Sequence, residues 1–222
     1  MSVGSESVVI EDGVAAALVC PENPRGLLVL AHGAGSDRNS TLLRALSDAL
    51  AARSWAVARI DLPYRQQRPK GPPSPSRAAA DRAGIRAAVA ALRPSVPVGP
   101  LIVGGQSYGG RQASMLVAED PSVADGLLLT SYPLHPPGKP EKARTQHLPD
   151  ITTPTLIIHG RSDAFATSAE ITAAAELFAG PVRIVEVERA DHGLKPERSG
   201  VGDLTAEAVD EFFGNPTGEA AE

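Results

Sequence analysis

The sequence predicts an α/β protein built as a three-layer sandwich, with helices on both faces of a mostly parallel central sheet of about eight strands. Three observations carry that expectation. Short apolar runs recur along the chain, separated by stretches long enough for one helix each. Most of these runs are apolar at consecutive positions, as in strands covered on both sides. The stretches between them place their apolar residues at helical spacing, and strand alternating with helix implies parallel pairing through right-handed crossovers.

Val8 to Ile10 and Val14 to Val19 flank Asp12-Gly13, a turn pair that reads as an edge hairpin. Gly26 to Ala31 is the first run apolar enough for a fully buried strand, and it ends at His32-Gly33-Ala34-Gly35. Ser40 to Arg53 then brings Leu42, Leu43, Leu46 and Leu50 to one helical face. Trp55 to Ile60 reads as a strand, and Arg77 to Arg93 as an Ala-rich helix with Ile85, Val89 and Leu92 on one side. Leu101 to Val103 is a central strand, followed by a Gly-rich turn and a helix-compatible run from Arg111 to Glu119. Gly126 to Thr130 and Thr155 to Ile158 are further buried strands. Ser168 to Phe178 is a helix stopped by Gly180-Pro181, because Gly can take the left-handed cap and Pro cannot continue the helix. Val182 to Val187 is the last strand and Leu204 to Phe213 the last helix. We therefore expect a flexible N-terminus at 1–7, one domain over 8–213 with no inserted cap domain, and a disordered tail at 214–222.

Composition bounds the function. With 222 residues, 42% hydrophobic and 21% charged, the chain reads as one ordinary soluble domain. A net charge of −5 argues against nucleic acid as a partner. The opening segment has neither a basic n-region nor an apolar h-region, and no apolar run is long enough to cross a bilayer, so a cytoplasmic location without a membrane partner is expected. The single cysteine, Cys20, excludes an internal disulfide and a thiolate zinc cage, and no cofactor or metal is expected.

The chemistry centres on Gly105-Gln106-Ser107-Tyr108-Gly109, a match to G-x-S-x-G between a strand and a helix. A serine on so tight a turn needs neighbours with almost no side chain, which Gly105 and Gly109 supply. The turn lifts the hydroxyl above the sheet, beside the free N–H groups of a helix start. A serine hydroxyl is a poor nucleophile unless a base removes its proton, and a histidine oriented by a carboxylate does this near neutral pH. Asp163 follows the strand ending at Ile158, and His192 follows the strand ending at Val187, so the chain order is Ser107, Asp163, His192. Asp191, beside His192, is the weaker acid candidate. The Ala34 and Tyr108 N–H groups are the expected oxyanion donors.

AHGAGSD, GGQSYGGR, SYPLHPPG, HGRSDAF and ADHGL together resemble the α/β-hydrolase superfamily over residues 8–213. Within it they resemble a small dienelactone-hydrolase-like group that includes testis-expressed protein thirty and the hydrolase-like domain of a regulatory subunit of the NSL histone-acetyltransferase complex. The resemblance implies the α/β-hydrolase fold and a serine hydrolase cutting a small carboxylic ester or thioester; its alternative implication is a non-enzymatic interaction scaffold. Dienelactone hydrolases use cysteine where this chain has Ser107, so their reaction does not carry over. The pocket is expected to be shaped by His32 and Gly33, by a Pro-stiffened loop at 64–76 whose Arg65 and Arg68 read as solvated surface or, in the alternative, as a basic rim favouring an anionic substrate, and by Tyr132 and His135 in SYPLHPPG. His32 doubles as a candidate for shaping the oxyanion loop.

Overall fold

Eight strands join in one sheet in the order β1-β2-β4-β3-β5-β6-β7-β8. They are β1 (Glu6–Glu11), β2 (Val14–Val19), β3 (Leu27–Ala31), β4 (Ala56–Asp61), β5 (Leu101–Gln106), β6 (Gly126–Thr130), β7 (Thr155–Gly160) and β8 (Val182–Val187). The computed structural model describes residues 6–11 and 13–214. The β1–β2 and β2–β4 pairs are antiparallel and all others parallel. Among the described residues seven α-helices flank the sheet: α1 (Thr41–Ala52), α2 (Pro63–Gln67), α3 (Ala78–Leu92), α4 (Tyr108–Glu119), α5 (Ser168–Ala175), α6 (Pro196–Ser199) and α7 (Val201–Phe213).

Strand alternation sorts the core into two slabs. Leu27, Val29 and Ala31 of β3 face one way with Val103, Leu127 and Leu129, under Ile85, Leu116 and Ile171 from α3, α4 and α5. Leu28 and Leu30 face the other way with Ile102, Leu128 and Ile158, under Leu43 and Leu46 of α1 and Val209 of α7. The central strands are apolar on both faces because helices cover both. At one end of α1, Asp210 of α7 accepts hydrogen bonds from Trp55 (2.7 Å), Arg25 (2.8 Å) and Arg53 (3.0 Å), clasping the two helices of that layer together.

Local signals explain the boundaries. Ser40 caps α1, its hydroxyl accepting the Leu43 N–H. Thr167 and Glu170 form a reciprocal capping box on α5. Helix α4 begins at Tyr108, three residues earlier than the sequence suggests, since Ser107 itself is the cap residue. Helices α2 and α6 are short turns opened by Pro63 and Pro196 that hydrophobic periodicity does not reveal. Glu6 and Ser7, expected in a flexible terminus, pair in β1 with Val19 and Leu18, because the hairpin ladder extends two residues beyond its apolar stretch. The expectations for residues 1–5, for Asp12 of the hairpin turn and for the tail at 215–222 fall outside the described residues. The segment 131–153 carries only two 3-10 turns, Pro140–Lys142 and Leu148–Asp150, and no cap domain stands over the sheet.

The topology also locates a crevice. From β3 the chain proceeds to β4 on one side, and from β5 to β6 on the other, so direction reverses between two adjacent strands. Ligand sites in open α/β sheets form at the carboxyl ends of strands at such a switch point. The residues emerging there are His32 to Ser36 and Gln106-Ser107.

Candidate active site

Ser107 sits at φ 49° and ψ −111°, left-handed backbone that few non-glycine residues adopt. The strain is held from both sides. The Ser107 N–H donates to the Thr130 carbonyl (2.9 Å), and the Ser107 carbonyl accepts the Arg111 N–H (2.9 Å) as α4 starts. Gly105, at φ 146°, and Gly109 let the turn lie directly on β3; a Cβ on Gly109 would stand 2.5 Å from the Ala31 carbonyl oxygen.

The hydroxyl raised by this turn meets His192. Ser107 Oγ lies 2.8 Å from His192 Nε2, and His192 Nδ1 lies 2.8 Å from Asp163 Oδ2. A carboxylate oxygen accepts, so in this pairing the proton belongs on Nδ1 and Nε2 is left to accept from the serine. The other carboxylate oxygen, Oδ1, accepts the Phe165 N–H at 2.8 Å. The Asp163 side chain is 0% exposed whereas that of His192 is 23% exposed, open on the side a reactant must approach. The Phe165 ring stacks on the imidazole, centroids 4.0 Å apart and planes 25° from parallel. Asp191 is exposed and spends Oδ1 on the Gly193 N–H.

Loop 32–36 supplies the opposite wall. The Gly33 carbonyl accepts from His32 Nδ1 (2.8 Å), the Tyr64 hydroxyl (3.3 Å) and the Ser36 N–H (3.1 Å). In a trans peptide the C=O and the following N–H point in opposite directions. The Ala34 N–H therefore faces away from those three donors, and Gly33 and Ala34 both line the cavity. Tyr108 opens α4, where a helix has no internal acceptor for its first N–H groups. Neither N–H finds a backbone acceptor among the described residues.

A cavity of about 590 Å³ joins these elements, bounded by loop 33–36, Ser107, Tyr108, His192 and Phe165, with Pro73, Pro75 and Pro133 at its edges. Gly33 is where the sequence places it; five other expected lining residues are engaged elsewhere. His32 is fully buried, holding the Gly33 carbonyl through Nδ1 and accepting the Leu62 N–H (3.2 Å) through Nε2, and burial pushes its pKa down. It is a neutral strut beneath the loop. Arg65 is 7% exposed and folds back on the carbonyls of Ser36, Ala34, Arg68 and Gly71, so it is a clamp and no part of a basic rim. Arg68 lies exposed outside the cavity, its carbonyl taken by Arg65. Tyr132 is buried in the core, its hydroxyl donating to the Arg144 carbonyl (2.9 Å). His135 is buried against the Pro136 carbonyl (2.9 Å) and Glu170 (3.3 Å), anchoring SYPLHPPG to the start of α5.

Sequence reasoning missed Gln106, Arg111, Gln112, Arg144 and Phe165, all of which line the cavity. For Arg111 a signal existed: it stands four residues after Ser107, and a helical side chain leans over the turn N-terminal to its own Cα. Phe165 shares a tight turn with Asp163, and no periodicity announces it. Among the described residues no group of three or more His, Cys, Asp or Glu side chains converges as metal ligands do. No helix among them is long and apolar enough to cross a membrane.

Comparison with known proteins agrees with the architecture. Residues 24–213 match the family model described as an alpha/beta hydrolase domain. Among solved structures, a dienelactone hydrolase from Anabaena variabilis superposes with a TM-score of 0.74 at 21% identity, covering 96% of this chain and 100% of its own. Est1E from Butyrivibrio proteoclasticus gives 0.70 at 18% identity, covering 94% and 97%. A lid-less α/β serine hydrolase from Xanthomonas campestris gives 0.70 at 14% identity, covering 100% and 98%. At these identities the likeness is one of fold.

Proposed function

The chain belongs to the α/β-hydrolase family, and from that premise we propose that it is a serine hydrolase that cleaves a small carboxylic ester or thioester through an acyl-enzyme. The observation that carries this reading is the hydrogen-bonded line Ser107–His192–Asp163, with 2.8 Å at both links. In this reading Ser107 Oγ attacks the substrate carbonyl while His192 Nε2 takes the hydroxyl proton. Asp163 holds the imidazole tautomer and stabilises the imidazolium. The Ala34 and Tyr108 N–H groups receive the oxyanion, each such donor contributing about 10²–10³ in turnover. Collapse of the tetrahedral intermediate breaks the bond to the leaving alcohol or thiol, and His192 returns the proton to it. Water, deprotonated by His192, then attacks the acyl-serine, which releases the acid and restores the Ser107 hydroxyl.

A binding scaffold would not need the three side chains in register, nor the strained backbone at Ser107, which costs about 1–3 kcal/mol where nothing is gained from it. The test is covalent. Purified protein treated with a fluorophosphonate is expected to be labelled at Ser107, located by peptide mass spectrometry, with no labelling of Ser107→Ala. Labelling of Asp163→Asn is expected to slow by about 10³-fold or more, because the amide favours the opposite imidazole tautomer and turns Nε2 into a donor. A folded protein whose Ser107 stays unlabelled, or labels equally fast in Asp163→Asn, would overturn the proposal.

A further inference from the structure

We infer that Arg111 and Arg144 form an anion subsite in the Ser107 cavity, and that the substrate is an ester or thioester whose acyl chain carries a carboxylate. The inference rests on the hydrolase reading for its chemistry, and on the following observations for its charge.

Both guanidinium-bearing residues line the cavity that holds Ser107 and His192, and no Asp or Glu lines it with them. Elsewhere on the same face arginines are neutralised by partners: Arg82 pairs with Glu119 (2.9 Å) and Arg86 with Asp120 (2.6 Å). Neither Arg111 nor Arg144 enters an ion pair among the described residues. Arg144 is steered by one backbone contact, Nη1 to the Pro133 carbonyl at 2.8 Å. Arg111 Nε is buried without a hydrogen-bond partner, and so is Nε2 of the fully buried Gln112 beside it, which also lines the cavity. Unpaired buried donors are rare and costly, and here two adjoin one cavity.

The local field agrees. Burial and then the charge of Arg111 lower the proton affinity of Arg144, and burial followed by Arg111 holds the His147 pKa down at about 4. Two guanidinium groups without counter-charge raise each other's energy until an anion joins them. A carboxylate suits the arrangement, since guanidinium forks match its two oxygens. Pro73, Pro75, Ala78 and Phe165 supply apolar lining for the short chain connecting it to the scissile carbonyl.

The experiment uses a matched pair, monoethyl adipate and ethyl hexanoate, equal in acyl length and differing by one carboxylate. For the wild type, kcat/KM followed by pH-stat is expected to favour the adipate by about tenfold or more. Arg111→Met and Arg144→Met are each expected to reduce that ratio by about tenfold, and Arg111→Lys to restore part of it. A wild-type ratio at or below one, or a ratio unmoved by both Met substitutions, overturns the inference. Calorimetric titration of Ser107→Ala with both esters separates this outcome from failure of the hydrolase reading. Adipate-selective binding that depends on Arg111 upholds the subsite even for a protein that turns over neither ester, and equal binding of the two refutes it whatever the turnover.

Discussion

Replacing Gly109 with alanine opposes two effects of known sign. Gly109 lies in the first turn of α4, where helix propensity alone favours alanine by up to about 1 kcal/mol. Sterics argue the reverse. The added Cβ would stand 2.5 Å from the Ala31 carbonyl oxygen and 2.6 Å from both the Ala31 carbonyl carbon and the His32 oxygen. All three atoms are backbone, of β3 and the loop it feeds, so no side chain can swing aside. Reaching ordinary contact, which begins at 3.4 Å, requires α4 and β3 to separate by about 0.9 Å. Overpacking of this kind costs about 1–3 kcal/mol, so the sum is expected to be destabilising. The displacement also carries Ser107 and the Tyr108 N–H away from Ala34, and misplacement near 1 Å costs on the order of 10²-fold in rate. Urea unfolding and the rate of fluorophosphonate labelling measure the two consequences. Gly35→Ala is the control: it sits in the cavity wall, yet its Cβ meets nothing within 4 Å. A Gly109→Ala protein as stable as the wild type and labelled at the same rate would refute the close-approach argument.

Two further outcomes follow from side chains around the cavity. His147 hydrogen-bonds Ser114 (2.8 Å), and burial, then Arg111, lowers its pKa from 6.5 to about 4. The unfolded chain binds a proton below about pH 6.5 that the folded protein refuses until about pH 4, so this group weakens folding as pH falls through that window. His147→Gln is expected to show a smaller loss of urea midpoint between pH 7 and pH 5 than the wild type; equal losses would count against it. Arg65→Met removes donors from four carbonyls, two of them in loop 33–36, and is expected to cost about 2 kcal/mol or more in unfolding free energy while leaving the adipate-to-hexanoate ratio unchanged. A shift in that ratio would return Arg65 to substrate recognition.

The strands of this fold are legible because each central one carries a run of consecutive apolar residues, and the turn at Ser107 because glycines stand two residues before and two after it. The arginines were not legible in the same way. Arg65 and Arg68 sit in a run that reads as a solvated rim, but α2 turns Arg65 inward onto carbonyls, and nothing in composition separates those two fates. Arg111 is part of the most informative stretch of the chain, and its spacing from Ser107 is visible once the helix is known to begin at Tyr108. Arg144 follows irregular chain with no period, so the bonds from Tyr132 and to Pro133 and Leu134 determine where it goes. Tyr132 and His135 mark the same difficulty in reverse: polar residues in a segment that faces the site, consumed by holding the segment together.

Strand β6 contributes no side chain to the line from serine to carboxylate, yet it sets the length of that line. Ser107 hangs from β5 and Asp163 from β7, two strand spacings apart, about 9.5 Å across the sheet. Neither group can touch the other over that gap, whatever rotamers they adopt. An imidazole with a hydrogen bond at each end is long enough to bridge much of it, and the loop after β8 delivers one from the far side. The width of one intervening strand thus insulates acid from nucleophile, and leaves His192 as the single conduit along which a proton at Ser107 can sense the charge on Asp163.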